Sequence, residues 1–253
     1  MKREQGTADQ AEFVYGHYAS AEFLKGTQEI NKVWLQTGLQ DKIRNEITQL
    51  AKKRGLVIQQ APKSKLDELT DGGNHQGVVL SVAAFAYATV DDLFDFADAH
   101  HEAPFFLILD GIEDPHNLGS ILRTADAAGV HGIIIPKRRA VQLTATVAKI
   151  STGAIEHVPV ARVTNLVNVV GELKDRGVWV FGTDMSGDDY RRWDAKGPTA
   201  LVIGNEGKGI SPLLKKKVDS MLTIPMVGHV QSLNASVAAS LLIYQGFNSR
   251  HPL

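Results

Sequence analysis

The residues best suited to chemistry stand in three short stretches, each following an apolar run. In LDGIEDPHNLGSILRTADAAGV, residues 109–130, Asp110 closes such a run, and Asn117 and Arg123 stand among Ile121, Leu122, Ala125, Ala127 and Ala128. The pattern predicts Asn117 as the N-cap of a helix, with Arg123 about two turns further along. The pair reads either as a capped helix with one exposed arginine or as a site for a phosphate or ribose at a helix amino end.

In ALVIGNEGKGIS, residues 200–211, Gly204, Gly207 and Gly209 surround Glu206. Three glycines let the backbone turn tightly and approach a ligand closely. The order is not G-x-x-x-x-G-K-[ST], because Ile210 follows Gly209, and not G-x-G-x-x-G, because position 212 is Pro. Glu206 would repel a triphosphate, so a neutral or cationic ligand fits better.

The third stretch is IPMVGHVQSLNASVAASLLIYQ, residues 224–245. Ser232 is predicted to cap a terminal helix. Ala235, Ser236, Ala238, Ala239 and Ser240 leave room for another backbone or a ligand, and Val237, Leu241 and Leu242 supply an apolar stripe. Alone, this stretch also reads as an ordinary alanine-rich packing helix.

These residues need elements to hold them. From FFLILD onward, apolar runs alternate with helical patterns: GIIIP, VQLTATVAKI, IEHVPVA, NLVNVVGELKDRG, VWVFGTD, ALVIG, a short helix after Ser211, LTIP and the last helix. Strands alternating with helices predict a doubly wound, mostly parallel α/β sheet, whose ligands bind beyond the carboxyl ends of the strands. Before it, KVWLQ, DKIRNEITQLAKKRG, LVIQQ, KSKLDELT and GVVLSVA predict a smaller α/β unit. The expected division is a tail at 1–11, a small domain at 12–83, an acidic linker at 84–103 and the large domain at 104–253. The linker has no basic residue against Asp91, Asp92, Asp95, Asp98 and Glu102. Val90, Leu93, Phe94 and Phe96 give it the apolar face of a short helix.

Composition excludes several classes. The chain of 253 residues has no cysteine, hence no disulfide framework, thiolate zinc site or cysteine nucleophile. Its nine histidines show no metal-ligand spacing. No run of about 18 apolar residues suggests a membrane span, and the polar start MKREQGTADQ is not a secretory signal. Cytoplasmic localisation is the expectation. The net charge of −1 hides local basic groups at Lys52-Lys53-Arg54, Lys137-Arg138-Arg139, Arg191-Arg192 and Lys215-Lys216-Lys217, which suit phosphates or simply solvated surfaces.

Taken together, N-x-G-x-x-x-R-x-A at Asn117–Ala125, G-N-E-G-x-G at Gly204–Gly209 and I-P-M…S-L-N-x-S-V-A-A at Ile224–Ala239 resemble the three motifs of the SpoU/TrmH family. These are SPOUT-class RNA ribose 2′-O-methyltransferases that use S-adenosyl-L-methionine. VYGHYASAEFL, KVWLQ, LAKKRG and GGNHQGVVLSV resemble the ribosomal-protein-like substrate-binding domain of the branch that modifies a guanosine in the peptidyl-transferase loop of large-subunit rRNA.

The resemblance implies a C-terminal trefoil knot, a homodimer and RNA as partner; from the histidine spacing, no metal is expected. It implies a cofactor held mainly by backbone groups of Gly204, Ile224 and Leu233, with Thr183 and Met226 nearby. Glu206 would face the ligand's cationic side or order its loop. Arg123 would act at the target nucleotide, Asn117 would orient Arg123 or the ribose, and Ser232 and Asn234 would hold the nucleotide and loop. In the small domain, Lys52, Lys53 and Arg54, with Asn74 and His75 in the loop Gly72–Gln76, are the expected RNA contacts. A tRNA substrate, a non-catalytic ribosome-assembly protein and a nucleotide-using metabolic enzyme remain the competing readings.

Overall fold

Alternate residues of KVWLQ pack on opposite sides of one strand, and that alternation organises the smaller of two units. The computed structural model describes residues 13–27, 29–82, 85–230 and 232–253; the predicted tail at 1–11 lies outside them. One unit comprises residues up to Ala86 together with Gln142–Ala145, the other Tyr87–Val141 and Thr146–Leu253.

The first unit runs β1 (Phe13–Tyr15), α1 (His17–Lys25), β2 (Ile30–Gln36), α2 (Asp41–Lys53), β3 (Ile58–Ala61), α3 (Lys63–Leu69) and β4 (Val78–Val82). Its sheet has the order β1-β4-β2-β3, with β2 parallel to β3 and β4 antiparallel to β1 and β2. Val33 and Leu35 point into a core with Leu24 of α1 and Ile47 and Ala51 of α2. Trp34 packs on the other face with Val79, Ala61 and Leu66 of α3. The period of two in the strand and of three to four in α2 thus bury matching faces.

The second unit begins inside the predicted linker. Helix α4 (Val90–Ala99) opens with a capping box between Thr89 and Asp92. Its Leu93 and Phe94 are buried with Phe106, Ile108 and Ile134 in the core of the large sheet. The acidic stretch is therefore a packed helix of this unit and not a linker, because its apolar face outweighs its charge.

There follow β5 (Phe105–Asp110), α5 (Pro115–Ala127), β6 (Gly132–Pro136), α6 (Ala145–Ser151), β7 (Val160–Val163), α7 (Leu166–Asp175), β8 (Trp179–Asp189), β9 (Thr199–Gly204), α8 (Pro212–Lys215), β10 (Ser220–Thr223) and α9 (Ala235–Arg250). The six strands pair in the order β10-β8-β9-β5-β6-β7, all parallel. Phe105–Leu109 and Ala200–Val202, in the two central strands, are fully buried, as expected where both faces are covered. The chain winds outward from β5 to β7 and returns through β8 and β9, so the winding reverses between β5 and β9. That is where an open parallel sheet forms its crevice.

Two expected elements are shorter than read. VQLTATVAKI becomes helical only at Ala145, and IEHVPVA divides into a 3-10 turn at Ala154–Glu156 and β7. Gly153 at φ 95 and Pro159 punctuate that stretch.

Candidate functional site

A cavity of about 380 Å³ opens at the carboxyl ends of β9 and β10 and beside the middle of β8. Three local devices build it. The first is the turn after β9, closed by Asn205 and Gly209, whose backbones exchange hydrogen bonds of 3.1 and 2.8 Å. The Asn205 side chain accepts from the N–H groups of Gly207 and Lys208 and donates to Gly111 O at 2.9 Å. A Cβ on Gly204 would lie 2.3 Å from the backbone of Gly209. The glycine expected to face a ligand is thus also demanded by the turn itself.

The second device is an excursion of β8. Met221 pairs with Gly182 but the next residue, Leu222, pairs with Asp188, so residues 183–187 leave the ladder. Gly182 and Gly187 bracket the excursion, and a Cβ on either would come within 2.6 Å of Met221. Thr183, Asp184 and Met185 thereby become a wall of the cavity. Lys215 bonds the Asp184 carboxylate and holds it below the usual carboxylate range. Asp184 and Met185 were not anticipated; their signal was the pair of glycines in FGTDMSGDD.

The third device is the segment after β10, which brings Ile224, Met226, Ser232 and Leu233 to the cavity, with Ala235, Ala238 and Leu242 of α9 behind them. Thr183, Gly204, Glu206, Ile224, Met226 and Leu233 therefore all line one cavity. Its wall mixes exposed backbone of a glycine turn with apolar side chains, and the Glu206 carboxylate stands at the turn. This chemistry fits a neutral nucleoside carrying a cationic centre.

Beside the cavity, the three sequence stretches meet at one point. Asn117 Nδ2 donates to Glu206 Oε1 at 2.8 Å, and Asn234 Nδ2 donates to the same oxygen at 2.8 Å and to Asn117 Oδ1 at 3.0 Å. The Ala235 N–H reaches Glu206 Oε1 at 3.4 Å. Glu206 is thus engaged by two amides, an arrangement in keeping with the expected alternative that it orders its loop.

Two predicted caps are also reassigned. Asp114 caps α5, accepting from the His116 N–H with Pro115 at the first helical position, and Asn117 lies inside the helix, 5% exposed. Asn234, not Ser232, caps α9, accepting from the N–H groups of Ser236 and Val237. Its side chain therefore both caps the helix and joins the cluster.

Arg123 stands apart. It is exposed on α5 and makes no ion pair or side-chain hydrogen bond among the described residues. The rest of its motif is structural. Gly119 packs against Ile150, where a Cβ would come within 2.6 Å, and Ala125 is fully buried. On α9 the buried stripe is Ala235, Ala239, Leu242, Ile243 and Gly246. Val237 and Leu241, expected to be buried, are 49% and 39% exposed, and Tyr244 is 44% exposed. The small residues serve close packing within the chain: Ser240 meets Thr124 of α5 at 3.0 Å, and Gly246 admits the Phe105 ring.

In the first unit the two groups of expected RNA contacts lie at opposite ends of α1. Lys52, Lys53 and Arg54 close α2 beside the end of α1, where Arg54 donates to Phe23 O. The loop around Asn74 lies by the start of α1, where the His17 N–H donates to Gln76 Oε1 at 2.9 Å. Asn74 is exposed. His75 is 4% exposed; it contacts Asp67 at 3.0 Å and accepts from the Gly77 N–H at 2.9 Å. That histidine shapes the loop from within and is not available to a partner.

Residues 104–244 match the SpoU rRNA Methylase family, and residues 13–88 match an RNA 2′-O ribose methyltransferase substrate-binding domain. The chain belongs to the SpoU rRNA methylase family. It is 54% identical to the putative TrmH family tRNA/rRNA methyltransferase YacO of Bacillus subtilis, over 97% of this chain and 99% of that protein. Among solved structures it is similar to the SpoU methyltransferase AviRb from Streptomyces viridochromogenes in complex with AdoMet. That likeness has a TM-score of 0.60 and 25% identity, covering 94% of this chain and 90% of the other. It is similar also to the AdoMet-bound rRNA methyltransferase from Sinorhizobium meliloti, with a TM-score of 0.59 and 26% identity over 95% and 87%. As a member of this family, the chain is an RNA methyltransferase whose methyl donor is S-adenosylmethionine. Among the described residues no helix is long and apolar enough to cross a membrane.

Proposed function

We propose that this enzyme methylates a ribose 2′-hydroxyl of a guanosine in large-subunit rRNA in the cytoplasm, acting as a homodimer. The reading rests above all on the meeting of Asn117, Glu206 and Asn234 at the rim of the cavity, which joins all three motifs of the family. The cofactor would lie against the backbone of Gly204, Ile224 and Leu233, with Thr183 and Met226 beside it. It supplies an electrophilic methyl on a sulfonium that departs as a neutral thioether.

What remains for the protein is alignment and activation of the hydroxyl. Arg123 is not a base, because its guanidinium stays protonated. It clamps the phosphate beside the target ribose, and that phosphate helps take the proton as the hydroxyl oxygen bonds the methyl carbon. Glu206, fixed by two amides, sets the turn that carries Gly204; Asn234 and Ser232 set the approach of the target strand. The return of residues 224–234 to the turn at 204–210 supports a trefoil knot, in which the last helix has passed beneath that turn. Exposed Val237, Leu241 and Tyr244, at spacings of four and three along α9, support a second copy packing there.

The test is transfer of label from radiolabelled S-adenosylmethionine to unmodified large-subunit rRNA or to tRNA, with Arg123→Ala in parallel and the mark mapped. Label confined to rRNA and lost in Arg123→Ala is expected. Label in tRNA would keep the chemistry and reassign the substrate. Absence of label in either would overturn the reading.

A further inference from the structure

The carboxyl edge of the large sheet holds two arginines that the site described above does not use. Lys137, Arg138 and Arg139 follow β6 directly. Arg138 and Arg139 are exposed, and among the described residues neither has an ion pair or side-chain hydrogen bond. By contrast, Arg44, Arg176 and Arg191 each meet a carboxylate, at Asp41, Asp91 and Asp189.

Arg139 also adopts φ 56, a left-handed conformation that non-glycine residues rarely take and that the surroundings must impose. Backbone bonds bracket it here. Lys137 N–H donates to Val163 O and Val141 N–H donates to Ile112 O, both at 2.8 Å. The second bond fastens the arginine turn to the loop between β5 and α5. In that loop Gly111, next to Ile112, accepts from Asn205, which lines the cavity. Two short, backbone-anchored steps thus join the turn to the cavity wall. Among the described residues no carboxylate pairs with either arginine: Glu206 accepts from Asn117 and Asn234, and Asp114 caps α5.

We propose that Arg138 and Arg139 clamp phosphodiesters next along the strand from the one Arg123 holds and so seat the RNA strand at the cavity. The inference rests on the methyl-transfer reading but concerns how the strand is held. Guanidinium forks suit phosphate oxygens, and phosphate contacts fix the register of a strand without reading its bases. Adjacent Cα atoms are about 3.8 Å apart, so two extended arginines in sequence reach successive phosphates of one strand.

The experiment measures anisotropy of a fluorescent fragment of large-subunit rRNA across a salt series. Wild type, Arg138→Ala, Arg139→Ala, the double variant and Arg139→Lys are compared. Each alanine is expected to weaken binding about tenfold and to lower the slope of log affinity against log salt by about 0.7. Arg139→Lys should keep most of the slope. Affinity for S-adenosylmethionine and the melting temperature should stay near wild type in every variant, which separates lost contacts from lost fold. Because binding is read without turnover, failure of the methyl-transfer reading would show separately, as bound RNA that gains no label. An unchanged affinity and salt slope in the double variant, or no RNA binding by the wild type, would overturn the clamp.

Discussion

Asn234 donates its side-chain amide to the side-chain oxygen of Asn117 at 3.0 Å, across 117 positions of sequence. Glu206 accepts from both, so one carboxylate ties the start of α5, the turn after β9 and the start of α9 together. Three stretches that read separately as a capped helix, a tight turn and a packing helix are one unit in the fold.

Removing that carboxylate should loosen all three at once. Glu206→Ala leaves Asn117, which is buried, without its acceptor, and a loss of about 1–3 kcal/mol of stability is expected. Glu206→Gln, which keeps an acceptor oxygen, should lose less stability and retain more cofactor binding. Urea denaturation and calorimetric titration with S-adenosylmethionine check both; an alanine variant as stable as wild type would show that the cluster holds nothing.

Gly204→Ala tests the turn. The added Cβ meets backbone atoms of Gly209 and Ile210 at 2.3 and 2.4 Å, and backbone cannot rotate away as a side-chain end does. Destabilisation of about 1–3 kcal/mol is expected, together with weaker cofactor binding. Gly207→Ala is the control: its Cβ would meet only Asn205 Oδ1, at 3.7 Å, and should be tolerated far better.

The contrast between these glycines marks what could be read from the sequence. Strand and helix alternation was legible because the core strands are continuous apolar runs and the helices are amphipathic. The cavity residues Thr183, Ile224 and Met226 were legible only through family resemblance, since no local pattern separates them from ordinary strand ends. The caps differ from those expected at Asn117 and Ser232: α5 begins at Pro115 with Asp114 capping it locally, and Asn234 caps α9 while also bonding Asn117 and Glu206. Asp184 and Met185 escaped because an excursion within a strand leaves alternation intact on both sides. The acidic stretch looked like a linker because its charge lies on the face opposite Leu93 and Phe94, which sequence texture averages together.

The exposed face of α9 makes its own prediction. A charge at Leu241, which is 39% exposed between Val237 and Tyr244, should cost this chain little stability, within about 0.5 kcal/mol. It should nevertheless disrupt a symmetric contact, where two copies of the charge come close together. Leu241→Asp is expected to move the protein from dimer to monomer mass in light scattering, with a near-native circular dichroism spectrum. Monomer mass in the wild type would refute the homodimer directly.

In the first unit, Lys52 and Lys53 are exposed at the carboxyl end of α2, whereas His75 is buried. Lys52→Glu/Lys53→Glu should weaken RNA binding most at low salt while leaving the melting temperature close to wild type. His75→Ala should do the reverse, because it removes the acceptor of the Gly77 N–H inside the fold. A loss of about 1–3 kcal/mol is expected there, with any fall in RNA affinity following from the loop. Equal melting temperatures for His75→Ala and wild type would return that histidine to the surface contacts.

The last prediction concerns pH and lies at the opposite end of the large sheet. His131 is 3% exposed; its Nδ1 accepts from the Phe105 N–H at 3.0 Å, and its Nε2 lies 3.3 Å from the Glu102 carboxylate. Burial pushes its pKa below 6.5; Glu102 opposes the shift, while Arg250 and His100 add to it. The folded chain therefore keeps His131 neutral in a range where the unfolded chain takes up a proton. Stability from this residue is fully present above about pH 6.5, falls as pH drops below that value, and levels off beneath the depressed folded pKa. Protonating Nδ1 would also remove the acceptor of the Phe105 N–H at the start of β5. Urea midpoints measured from pH 8 to pH 5 should decline more steeply in wild type than in His131→Asn, which keeps an acceptor but cannot titrate. Parallel declines in the two proteins would assign the pH dependence to other groups.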